Sequence, residues 1–190
     1  MHSNKGKVRI IAGEYRGRRI AVPDRPGLRP TPDRVRETLF NWLGQTLEGL
    51  SCLDLFAGSG ALGFEAASRG AARVVMVEQD RSAFEVLKQN LVLLNSNRIE
   101  LVFDDAFAYL KRSREAFDVV FLDPPFRQNA LPAVFRALKH KGGMRAYVES
   151  GEPVTATEPW RELKRDRAGQ VSYQLLEWRG DDQGGLSGNV

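Results

Sequence analysis

From residue 51 onward the chain alternates short apolar runs with segments of helical periodicity, and no other feature constrains its fold as strongly. Residues 51–56, 73–77, 99–103, 117–122 and 145–149 read as strands. Residues 61–69, 82–94, 106–112 and 131–141 read as helices, and Phe84, Leu87, Leu91 and Leu94 share one helical face. Strands that alternate with helices build a parallel sheet covered on both faces. Residues 163–167 and 171–178 flank Ala168-Gly169-Gln170 and read as an antiparallel hairpin at the C-terminal edge. The expected architecture is α/β, with a central, mostly parallel seven-stranded sheet. Ahead of it, residues 8–12 and 18–22 alternate enough to form a small N-terminal β-hairpin around Gly13 to Gly17. The stretch 23–32 holds four prolines and a glycine and reads as an irregular linker. Asp33 is a candidate cap for a helix running to about Leu47, with Val35, Leu39, Trp42 and Leu43 on its apolar face. This predicts an extension over 1–32, a main domain over 33–179 and a flexible tail over 180–190.

Ligands of open parallel sheets collect beyond the carboxyl ends of the strands, and four such ends carry chemistry here. The first runs Asp54-Leu55-Phe56-Ala57-Gly58-Ser59-Gly60-Ala61-Leu62-Gly63, and its glycines match G-x-G-x-x-G between a strand and a helix. Glycine there permits close approach of a ligand, or serves a tight packing turn. The second strand closes on Glu78, followed by Gln79 and Asp80; an acid there can take both hydroxyls of a ribose. Both features fit a dinucleotide, whose pyrophosphate rests on the helix N-terminus. They also fit S-adenosylmethionine, which has no phosphate but needs an acceptor for its ammonium, and Asp54 is placed to be one. At the third end, Asp105 and Ala106 could meet an adenine through side chain and backbone, or Asp105 could cap the helix. The fourth end is Asp123-Pro124-Pro125-Phe126. Its carboxylate and a proline carbonyl can accept hydrogen bonds from an exocyclic amine while the phenyl ring stacks on a flat base. A rigid turn is the alternative, since paired prolines stop strands.

The 190 residues carry a net charge of +4, but its distribution is uneven. Residues 1–36 hold ten basic and three acidic side chains, and the rest holds 18 and 21. An arginine-rich arm interleaved with Tyr15 and Gly17 suggests a polyanion partner, because arginine pairs with phosphate and stacks on bases. A solvated extension is the plain alternative. The single cysteine, Cys52, lies in an apolar strand and reads as a core residue. His2 lies in a terminal segment, and His140 lies at a helix end beside Lys139 and Lys141, where dipole complementation accounts for it. The basic start is not followed by an apolar segment, and no apolar run approaches the roughly 20 residues that span a bilayer. A cytoplasmic protein is expected.

With the four strand ends in this order, the chain resembles class I S-adenosylmethionine-dependent methyltransferases that act on amino groups. Two N-terminal stretches sharpen the resemblance. Arg9-Ile-Ile-Ala-Gly-Glu-Tyr-Arg-Gly-Arg-Arg and Arg29-Pro-Thr-Pro-Asp-Arg-Val-Arg-Glu-Thr-Leu-Phe-Asn-Trp-Leu are similar to the RsmD family of bacterial small-subunit ribosomal RNA guanine-N2 methyltransferases. The resemblance covers roughly residues 8–178. It implies a Rossmann-like class I methyltransferase domain, S-adenosylmethionine as cofactor, S-adenosylhomocysteine as product and no metal. The implied substrate is one guanine of 16S rRNA, guanine 966 in the family, within a small ribosomal subunit or assembly intermediate. A monomer without membrane contact is expected.

The resemblance also implies roles. Asp54, Phe56, Gly58, Ser59, Gly60, Glu78, Asp105 and Ala106 would hold the cofactor. Asp123, Pro124, Pro125 and Phe126 would hold the target base. Arg9, Arg16, Arg18, Arg19, Arg29, Arg34 and Arg36 would contact RNA, with Thr31, Arg34 and Arg36 near the site. The tetrapeptide is shared with adenine methyltransferases, so the choice of guanine rests on the resemblance. An adenine-N6 or other nucleic-acid amino-methyltransferase is the nearest alternative, though a DNA enzyme would need a larger target-recognition domain. An NAD-dependent oxidoreductase leaves Asp123 to Phe126 unexplained. A non-catalytic RNA-binding or ribosome-assembly protein leaves the acceptor pocket unexplained.

Overall fold

A computed structural model describes residues 6–24, 30–125 and 130–180. Arg29, Phe126 and residues 181–190 of the expected tail lie outside the described residues. The chain opens with β1 (Lys7–Arg9) and β2 (Arg19–Ala21), paired antiparallel, followed by α1 (Asp33–Leu43). Then come β3 (Ser51–Asp54), α2 (Ala61–Ser68), β4 (Arg73–Glu78), α3 (Arg81–Leu94), β5 (Ile99–Phe103) and α4 (Ala106–Arg112). The remaining elements are β6 (Val119–Leu122), α5 (Leu131–Ala137), β7 (Arg145–Ser150), β8 (Trp160–Ala168) and β9 (Val171–Trp178).

Seven strands form one sheet in the order β5-β4-β3-β6-β7-β9-β8. The first five are parallel to their neighbours, and β9 and β8 close the edge antiparallel. The order reverses between β3 and β6, which opens a crevice at their carboxyl ends. Strand alternation sorts the apolar side chains into two cores. Cys52, Val74, Met76 and Phe121 face α1, α2 and α3, while Leu53, Val75, Val77 and Val120 face α4 and α5. Each fully buried aliphatic or aromatic side chain contributes about 1.5–3 kcal/mol, so this two-sided burial accounts for near-continuous apolar strands.

The N-terminal hairpin is fastened to the first core rather than hung beside it. Val8, Ile10, Tyr15, Ile20 and Val22 are all buried with α1 and α2. The Ile11 and Ala12 amides donate to Glu65 at 2.8 and 3.1 Å, and Tyr15 donates its amide to Ser68 Oγ at 2.9 Å. Asn90 on α3 closes two 2.9 Å bonds with the Ala21 backbone. Gly13 is required here: its φ is +80°, and a Cβ would stand 1.8 Å from the Ser68 carbonyl oxygen.

Several sequence expectations are corrected. Pro32, not Asp33, occupies the N-cap of α1; the Asp33 carboxylate instead accepts from Arg36 at 2.6 Å. That helix stops at Leu43 because Gly44 turns left-handed at φ 100°. The α5 helix likewise ends early, at Ala137. His140 is not an exposed partner for a helix end. It is buried, stacked on Trp178 at 3.8 Å between ring centroids and edge-on to Trp160. Tyr15, interleaved with the arginines of the arm, is buried too. No helix among the described residues is long and apolar enough to cross a membrane.

Candidate active site

The carboxyl ends of β3, β4, β6 and β7 bring four acids together. Asp54 closes β3 and is almost fully buried. Its Oδ2 accepts the Gly63 amide at 3.0 Å, so a carboxylate already occupies the start of α2. Gly58 and Gly60 both have positive φ, 52° and 76°. A Cβ on Gly60 would stand 2.5 Å from the Phe64 ring, and one on Gly63 would stand 2.8 Å from the Met76 side chain. The last two glycines of the motif therefore serve the close packing of α2 on β4 and α3. Ser59 is buried, and its Oγ accepts the Ala61 amide at 3.3 Å. Phe56 is half-buried against the second core.

Glu78 closes β4. Its Oε2 accepts from the Gly58 amide at 2.8 Å and its Oε1 from the Asp80 amide at 2.7 Å. It thus shapes the glycine loop while keeping lone pairs for a ligand. Asp105 caps α4, accepting from the Phe107 and Ala108 amides at 2.9 and 3.0 Å, beside the buried Ala106. Capping and adenine contact are compatible, since among the described residues only Oδ1 is engaged.

Asp123 and Pro124 follow β6, at the level of Glu149 in β7, because Leu122 pairs with Val148. Glu149 is missing from the sequence reading. It is buried, and its Oε1 accepts from Thr31 Oγ1 at 3.0 Å and Tyr147 Oη at 2.9 Å. The signal was an acid at yet another strand's carboxyl end, the same rule that singled out Glu78. Thr31, expected near the site, is tied to β7 through its bond to Glu149.

The acids strain one another electrostatically. Burial pushes Asp54 up to about 7, with the Gly63 amide opposing and the charges of Glu78 and Glu149 adding. Burial, then Glu149 and Asp54, hold Asp123 well above the usual carboxylate range. Burial raises Glu149 as well, against the bonds from Tyr147 and Thr31. Tyr147 is raised by burial and by Glu149 beside it. No lysine or arginine pairs with Asp54, Glu78, Asp123 or Glu149 among the described residues. A cation bound there would favour the ionised forms of these acids, and a phosphate would oppose them. Away from it, burial pushes the Cys52 thiol up to about 12, as suits an inert core residue.

The arginines divide. Arg9, Arg16, Arg18, Arg19 and Arg34 are exposed. Arg36 is not: it is fully buried, bonded to Glu65 at 3.3 Å, Asp33 at 2.6 Å and the Arg9 carbonyl at 2.9 Å. Its expected RNA contact is withdrawn, because its guanidinium holds the hairpin, α1 and α2 together.

A family model described as conserved hypothetical protein 95 matches residues 8–177. The chain belongs to this family, the RsmD family. It is 43% identical over 184 residues to the ribosomal RNA small subunit methyltransferase D of Escherichia coli K12, covering 93% of this chain and 92% of that one. The protein of the same name from Haemophilus influenzae is 44% identical over 183 residues, covering 91% and 95%. A solved Escherichia coli structure described as a candidate methyltransferase superposes with a TM-score of 0.84 at 41% identity, over 93% of this chain and all of that one. The RsmD match spans the basic hairpin and the sheet alike, so both belong to the unit that the family preserves.

Proposed function

We propose that this RsmD-family protein transfers the methyl group of S-adenosylmethionine to the exocyclic N2 of a guanine in 16S ribosomal RNA. The observation that carries the reading is the convergence of Asp54, Glu78, Asp123 and Glu149 without a basic partner among the described residues. A dinucleotide would bring its pyrophosphate to the start of α2, where the Asp54 carboxylate already accepts the Gly63 amide. A ligand with an ammonium, a sulfonium and no phosphate fits that environment. Asp54 would take the ammonium, Glu78 the ribose hydroxyls, and Asp105 with Ala106 the adenine, while Phe56, Gly58, Ser59 and Gly60 shape the walls. The ribosomal substrate is supported by the name that the two close relatives carry.

Bound S-adenosylmethionine supplies a methyl group already activated for displacement. The protein's task is to position the acceptor. A guanine amino nitrogen is a weak nucleophile because its lone pair is conjugated with the ring. Hydrogen bonds from its two protons to Asp123 and the Pro124 carbonyl localise that lone pair and aim it for in-line attack. The nitrogen gains the methyl carbon and loses one proton, to Asp123 or to water. Burial and neighbouring acids make Asp123 a stronger base than an ordinary carboxylate, which suits it to that proton. Phe126 would stack on the base.

The segment over 1–32, with Arg9, Arg16, Arg18, Arg19 and Arg29, would contact phosphates together with Arg34, setting register while the pocket selects. Extracting a paired base costs a few kcal/mol, which favours an unpaired guanine. Such a protein would work in the cytoplasm, on a small subunit or its precursor. Tritiated methyl transfer to small-subunit RNA and to assembled subunits, with mapping of the modified base, tests the reading. Label on a guanine N2 supports it, and no incorporation into either substrate overturns it.

A further inference from the structure

Glu149 has a capacity that the transfer above does not use. Its side chain is buried and its Oε1 is held by two hydroxyls, Thr31 at 3.0 Å and Tyr147 at 2.9 Å. Its Oε2 accepts no hydrogen bond among the described residues. Pro124 and Glu149 also border a cavity of about 1150 Å³ whose other walls are α5, the 150–160 segment and β9; Asp54, Glu78 and Asp123 do not line it. Asp123 and Glu149 sit at the same level of adjacent parallel strands. A carboxylate oxygen that no internal donor occupies is open to a donor that a ligand brings.

The chemistry of the base says which donor. On guanine the amino group at C2 adjoins N1–H, so two donors lie side by side. On adenine the amino group at C6 adjoins a bare N1, which is an acceptor. A second carboxylate beside the amine-binding acid therefore accepts from guanine and repels adenine. We propose that Glu149 is a specificity-determining residue, which selects guanine by accepting its N1–H through Oε2 while Asp123 and Pro124 hold the amino group. The proposal rests on the guanine-N2 reading above and supplies the discrimination that Asp123 to Phe126 alone lack.

Replacing Glu149 with Gln provides the test. The amide oxygen can keep the bonds from Thr31 and Tyr147, and an amide N–H₂ then stands where Oε2 was. The probes are small-subunit RNAs bearing guanosine, 6-thioguanosine or 2-aminopurine riboside at the mapped target. The thio base keeps N1–H, and 2-aminopurine keeps the amine beside a bare N1. The wild-type protein is expected to methylate the first two and to lose at least about tenfold in kcat/KM on 2-aminopurine. In E149Q, guanosine falls by about tenfold or more, and the 2-aminopurine-to-guanosine ratio rises at least tenfold. Fluorescence of 2-aminopurine RNA, titrated without cofactor, should show tighter binding to E149Q than to wild type. A wild-type protein that uses 2-aminopurine as well as guanosine overturns the proposal, whether or not the variant folds. So does an unchanged ratio in E149Q. Either result leaves guanine methylation itself intact, whereas no transfer to guanosine by the wild type defeats the broader reading.

Discussion

Asp54 has a folded-state pKa of about 7 against an ordinary 3.8. Folding therefore favours its protonated form. Its contribution to stability is full below about pH 4 and is lost as the pH rises to about 7. A cationic ligand that pairs with the ionised form reverses the sense, so affinity for S-adenosylmethionine should increase as pH rises from 6 to 8. Asp54→Asn keeps an acceptor for the Gly63 amide and removes the charge. It should raise the ligand-free melting temperature at pH 8 by a few degrees, on the scale of about 2–4 °C per kcal/mol. Calorimetry should show cofactor affinity reduced at least about tenfold in the same variant. Asp123→Ala should behave differently, lowering kcat by about 100-fold or more while cofactor affinity stays within about threefold. Asp54, Glu78 and Asp123 were legible in the sequence because strand ends announce themselves through apolar runs. Glu149 stood at a strand end too, but its nearness to Asp123 depends on register with β6 and its bond to Thr31 spans 118 positions, neither of which the sequence displays. Arg36 misled for the opposite reason: arginine is normally exposed, and its burial is explained by Glu65, Asp33 and the Arg9 carbonyl together.

At the scale of elements, Glu65 is the joint of the N-terminal half. It is fully buried, pairs with Arg36 at 3.3 Å and Arg69 at 2.8 Å, and receives two amides from the chain entering the hairpin. Breaking a buried pair by removing one partner typically costs about 3–5 kcal/mol. Glu65→Ala should lose that much in urea denaturation and should expose residues 6–22 to proteolysis before the sheet unfolds. The periodic elements were readable to the residue where pattern and caps agree: β5, α4 and β9 have the predicted bounds. Departures cluster where local signals conflict with packing. Gly44 cuts α1 short of Leu47, and β8 begins at Trp160 because that ring packs against Phe135 and Trp178.

Over the whole molecule, charge is segregated by place: an arginine-bearing surface at the N-terminal end and an acid-lined crevice at the carboxyl ends of the strands. The two should respond to salt differently. Replacing Arg16 and Arg19 with Ala should weaken RNA binding uniformly across sequences. It should also reduce the slope of log affinity against log salt by about 0.7–0.9 per arginine, measured by filter binding at several potassium chloride concentrations. Cofactor affinity should not move. The manner in which the hairpin is seated has a further consequence. Its backbone is clasped by Glu65, Ser68 and Asn90, which belong to the helices flanking the glycine loop. The arginine-bearing segment is thus no detachable accessory. An engineer who wished to redirect the protein to another RNA could not graft a foreign arm onto residue 33 and keep the rest. The transplant would have to bring its own glycine at position 13 and complement three side chains that α2 and α3 already contribute, so on the proposed function target choice and cofactor housing would change together.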